Sequence, residues 1–138
     1  MTTVLVVQHD RETADCISNA LRAKGHLVHQ CCGPEAYKCP ILQGESCDFV
    51  DEADVLVYGL GLQPIGPETD TVLLRLLRWS NPRAPLIVVD DRPAGSAQVA
   101  DLALQDRFVQ VLSAPWEAER VVSIVTEALA WRPALGAA

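Results

Sequence analysis

No apolar run approaches the ~18 residues that a membrane-spanning helix needs. Lys and Arg number 11 against 18 Asp and Glu, for a net charge of −7. The first shortage argues against a membrane-spanning helix. The second argues against a nucleic-acid backbone or an anionic membrane as the main partner, because both demand clustered basic side chains. The chain enters a strand pattern by Val4 without a basic stretch and a long apolar stretch ahead of it. A secretion signal is therefore not expected, and the cytoplasm is the expected compartment. A Gly-rich phosphate cradle is missing after the first strand, where the chain reads Gln8-His9-Asp10-Arg11-Glu12, so nucleotide binding has no support. No Ser/His/Asp or Cys/His order stands out, and an enzyme is not expected. A thiol-dependent enzyme using Cys31 and Cys32 beside His29 is the weakest of the readings. The five cysteines include no CxxC pair.

What the chain does have is a set of short apolar runs. At 138 residues it fits one domain, a size that buries roughly 68–70% of its unfolded surface. Asp54-Val55-Leu56-Val57-Tyr58-Gly59-Leu60 is too short for an ordinary helix and shows no period-2 alternation. It reads as a strand buried on both faces, at the centre of a parallel sheet. Val4 to Val7, Leu86 to Val89 and Phe108 to Leu112 share its character, and helical patterns lie between them. That alternation predicts an open α/β sheet.

In chain order, the first strand ends at Gln8-His9-Asp10, where open α/β sheets place their ligand-facing loops. Asp10 or Thr13 is expected to cap a helix running to about Lys24, with Ala14, Ile17, Ala20 and Leu21 facing the sheet and Gly25 ending it. His26 to Gln30 reads as a short edge strand. From Cys31 to Asp51 the periodicity disappears, and the expectation is a loop with one helical turn near Glu35 to Lys38. After the central strand come a turn-rich loop, a helix over Thr69 to Trp79 with Val72, Leu73, Leu76 and Leu77 inward, and the fourth strand ending at Asp90-Asp91. A short helix over Ser96 to Gln105, the fifth strand and a last helix from about Glu117 to Trp131 follow. Residues 1–131 thus form a single domain containing the Cys-rich segment 31–51, and 132–138 form a loose tail.

This order resembles the receiver domain of two-component response regulators. The resemblance rests on Val4-Leu5-Val6-Val7-Gln8-His9-Asp10, Gly25-His26-Leu27-Val28, the central strand with Gln63-Pro64 after it, Ala84 to Val89, and Ala114-Pro115-Trp116. It implies a flavodoxin-like three-layer α/β fold, a five-stranded parallel sheet of order 2-1-3-4-5, with a Cys-rich loop in place of the second helix. It also implies a cis Ala114-Pro115 bond. A receiver uses an acidic pair, an acceptor Asp, a hydroxyl and a lysine. The corresponding positions of this chain are Gln8 and His9, Gly59, Asp90 and Ala114. Glycine has no carboxylate to phosphorylate and Mg²⁺ has lost its oxygen ligands, so Mg²⁺ is not expected and the resemblance is to a degenerate, pseudo-receiver type.

Two other clusters stand out. Cys31 or Cys32, Cys39 and Cys47, with His29 or His26 nearby, suit a tetrahedral zinc site or an iron–sulfur cluster. They equally suit a reversible disulfide, or packing as small apolar side chains. Cys16 reads as packing. His9, Asp10, Asp90 and Asp91 lie at carboxyl ends of strands, either as a His-carboxylate set or as the solvated remnant of an acidic pocket. Trp79, Trp116 and Trp131 are core caps or contact residues, and Trp116 and Trp131 are the candidates for contact. The expected function is a regulatory, protein-binding module with the Cys segment as a metal-binding or redox-responsive element. The alternative makes that segment the primary sensor. The expected partner is a protein held on the face of the fourth strand, fifth strand and last helix, with a homodimer as an alternative.

Overall fold

β1 (Thr3–Val7), β2 (Leu27–Cys31), β3 (Val55–Gly59), β4 (Leu86–Asp90) and β5 (Val109–Ser113) form one parallel sheet in the order β2-β1-β3-β4-β5. The computed structural model describes residues 2–31, 39–60, 66–90 and 97–136. β3 lies between β1 and β4, as its uninterrupted apolar run requires, and every residue of β3 and β4 is buried. Alternate side chains leave the two faces of the sheet. Val4, Val6, Val55, Val57, Ile87 and Val89 join one core cluster, while Leu5, Val7, Leu56, Tyr58, Leu86 and Val88 join the other.

Among the described residues, five helices cover these faces: α1 (Arg11–Ala23), α2 (Asp48–Glu52), α3 (Gly66–Ser80), α4 (Ala97–Gln105) and α5 (Ala118–Gly136). Ile17 and Leu21 of α1 pack in the first cluster with Val121, Val122, Ile124, Val125 and Ala128 of α5. Val50 of α2, Leu73, Leu74 and Leu77 of α3 and Val99 of α4 build the second. Among the described residues, no helix is long and apolar enough to cross a membrane.

Local chemistry sets the ends of α1. Asp10 is its N-cap and accepts from the Thr13 amide at 3.4 Å and from the Thr13 hydroxyl. At the other end Gly25 takes φ +89°, its amide bonds Arg22 O at 2.9 Å, and the His26 amide bonds Leu21 O at 3.3 Å. This paired closure needs the left-handed backbone that glycine adopts without a Cβ penalty.

Four expectations need correction. The Cys segment is not loop throughout, because residues 48–52 form α2. Its stabilisers are a buried Val50, Asp48 and Asp51 at the positive end of the helix dipole, and Asn81 at the other end. Five residues are too few to register as a helical period. The expected turn at Glu35 to Lys38 lies outside the described residues. In α3 the inner stripe is Leu73, Leu74 and Leu77, whereas Val72 is 50% exposed and Leu76 is half-buried. Val72 is turned out to the groove beside α4, while Leu76 both lines that groove and packs against the core cluster. Cys16 is exposed on α1, not packed. Finally, α5 runs to Gly136, so 132–136 continue the helix, Pro133 included, instead of starting a tail.

Asn81 ties two elements together, its side-chain amide donating to Val50 O at 2.8 Å and Ala53 O at 2.9 Å. Asn81→Ala should leave both carbonyls short of a donor and cost about 1–3 kcal/mol in urea unfolding. Asn81→Asp, which turns a donor into a second acceptor, should cost at least as much.

Candidate functional site

The carboxyl edge of the sheet gathers the ends of all five strands, and three of them meet at Gly59. Gln8, the residue after β1, is 4% exposed, and its amide N–H bonds Cys31 O at 2.9 Å. Its side-chain oxygen accepts from the Asp10 amide at 3.2 Å. The Gln8 carboxamide lies across Gly59, where an added Cβ would fall 2.7 Å from Gln8 Cδ and closer still to Nε2. The end of β3 is therefore closed by a neighbouring side chain, and only glycine fits beneath it without displacement.

Around this contact the other edge residues are differently engaged. Asp10 is exposed and caps the start of α1, where the Thr13 hydroxyl above all holds its carboxyl below the usual carboxylate range. His9 is half-buried, and its Nδ1 has no hydrogen-bond partner among the described residues. Asp90 is 1% exposed at the end of β4, its backbone oxygen accepting from Ala114 N at 2.9 Å. The Ala114-Pro115 bond after β5 is cis. Asp91 lies outside the described residues. Among those described, no group of three or more His, Cys, Asp and Glu side chains could hold a metal ion, so His9, Asp10 and Asp90 do not assemble one.

Among the described residues, no three of the cysteines come together in a group. Cys31 is exposed at the end of β2, in register with Val7. Cys39 and Cys47 are half-buried against the core cluster beneath α2 and α3, in the way small apolar side chains pack. His29 meets the Phe49 ring at 5.1 Å between centroids. Cys32 lies outside the described residues, and Cys16, Cys39 and Cys47 are not in disulfides.

Of the elements in the expected contact face, β4 is buried along its whole length. β5 is the edge strand there, and Trp116 is half-buried against the α5 side of the core. The side chain of Trp131 is outside what the structure describes. Sequence reasoning missed the groove between α3 and α4, which Val72, Leu76 and Trp79 line from one wall. Its signal was present in the sequence as a tryptophan displaced from the inner stripe of its helix.

The sequence matches no protein-family model and no curated protein. The backbone, in contrast, superposes on a response regulator receiver domain protein from Methanospirillum hungatei with a TM-score of 0.73 at 15% identity, over 96% of this chain and 97% of that one. A receiver domain protein from Clostridium thermocellum gives 0.73 at 17% identity, over 98% and 99%. The signal receiver domain of an HD domain-containing protein from Pseudomonas fluorescens gives 0.71 at 16%, over 96% and 98%. The chain has a flavodoxin-like fold of the receiver type. At these identities the likeness is one of fold.

The Gln8–Gly59 contact is measurable. Gly59→Ala should push the Gln8 carboxamide aside and break its bond to the Asp10 amide, destabilising by about 0.5–1.5 kcal/mol. In a Gln8→Ala background most of that cost should vanish, giving a coupling of about 0.5–1.5 kcal/mol in a double-mutant cycle. Additive costs would mean that the two residues do not meet. For the thiols, Cys16 and Cys31 should react with a disulfide reagent in the native protein well before Cys39 and Cys47, read by mass mapping of the labelled sites.

Proposed function

We propose that the protein is a regulatory module that acts by protein contact and does not use an aspartyl phosphate. The single observation that carries this reading is Gly59 at the end of β3 with the Gln8 carboxamide laid over it. Phosphotransfer in a receiver-type fold needs a carboxylate there and oxygen ligands for a divalent cation beside it. This chain offers a hydrogen, a carboxamide and an imidazole. Asp90, buried one strand away, would repel a bound phosphate where a hydroxyl would stabilise it. The receiver-type backbone supports a regulatory role as the use to which that scaffold is put in the similar structures.

A second reading makes the cysteine segment the input, by zinc or cluster ligation or by thiol oxidation. The exposed position of Cys31 on the carboxyl edge, open to an oxidant, supports oxidation. Ligation has less support, since the described residues offer no group of three ligands. Metal content and a thiol count before and after mild oxidation separate the two.

Incubation of the full chain with acetyl phosphate and Mg²⁺ should leave its intact mass unchanged. Gly59→Asp should also remain unmodified, because the new carboxylate meets Gln8 and has no acidic pair beside it. A phosphoryl adduct on the unaltered chain that hydroxylamine removes would sink this reading.

A further inference from the structure

We propose that the groove between α3 and α4 is the interface of a two-fold homodimer. The groove encloses about 720 Å³. Val72, Leu76 and Trp79 project into it from α3, spaced four and three residues apart so that they share one helix face, and Leu102 lies on the α4 wall. One large side chain of the lining stands clear of the surface, Trp79 at 83% exposure. An aromatic side chain ordinarily buries 150–250 Å² or so, and tryptophan is the residue most enriched at the energetic centre of interfaces. A surface that carries a hole and a protruding knob side by side is what a two-fold contact requires, since each copy must supply both halves.

The charges choose the occupant. Arg75 lies on the α3 wall and Asp101 on the α4 wall, both exposed and with no ion pair among the described residues. Arg78 is unavailable: it pairs with Asp106 at 2.7 Å, donates to Pro82 O at 2.6 Å and lies 4.7 Å over the Phe108 ring. The groove is therefore closed at that end by a neutralised pair and left with one unmatched charge of each sign, on opposite walls. Setting α3 against the α3 of a second copy would oppose Arg75 to itself, and α4 on α4 would oppose Asp101 to itself. Setting α3 against the partner's α4 satisfies both charges twice over, with the apolar stripe between them. A partner carrying only acidic or only basic side chains would leave one of the two unmatched.

The full-length protein should sediment as a concentration-dependent monomer–dimer equilibrium across the micromolar to millimolar range. Arg75→Asp and Asp101→Arg should each raise the dimer Kd by about tenfold or more, because each places like charges opposite one another at two symmetry-related points. Mixing the two single variants should restore association, since the hetero-pair matches both charges, and the double variant should dimerise alone. Both side chains are exposed, so unchanged circular dichroism is expected of every variant. Trp79→Ala should weaken association without altering the charge logic. A wild-type chain monomeric throughout the range, a dimer unaffected by the single reversals, or a failure of the mixed variants to associate would each overturn the proposal. None of these outcomes bears on the phosphate-independent reading, which rests on Gly59 alone.

Discussion

β3 and β4 are dry on both faces, and that requirement organises everything around them. A parallel strand in this position can be buried only if a helical layer lies above it and another below, and parallel connection supplies those helices as crossovers. The alternation of Val55 and Val57 towards α1 and α5, and of Leu56 and Tyr58 towards α2, α3 and α4, divides the core into two clusters of comparable size. With both faces sealed, the ends of the strands are the places left for polar groups, and Gln8, Asp10 and Asp90 all fall there.

At that edge a trade is visible. The closing of β3 by the Gln8 carboxamide uses a polar side chain as packing material, with its oxygen on the Asp10 amide and its other end against the Gly59 backbone. Asp10 in turn is fixed as the α1 cap. Gln8 and Asp10 are thereby bonded to one another and to the start of α1.

Much of this was readable without coordinates. The strand runs, the sheet order through its resemblance, the Asp10 cap, the Gly25 ending and the inward stripes of α1 and α5 all follow from short-range pattern. The parts that were not readable share one cause: they depend on neighbours distant in sequence. α2 is held by Val50 in the core and by Asn81, 31 and 28 residues away from the carbonyls it bonds. Val72 fits an inward period as well as Leu73 and Leu77 do, yet it is half exposed beside α4. Gln8 and Gly59 were both identified as departures at a receiver's active positions, but that one lies over the other required the register between β1 and β3.

The Asn81 bridge has a dynamic corollary. A helix of five residues has almost no internal hydrogen bonding of its own and would melt in isolation. α2 borrows its order from the core through Val50 and from the residue that follows α3, so loss of that end of α3 should release α2 as well. The segment carrying Cys39 and Cys47 is thus anchored at its downstream end beside the helix that displays Trp79.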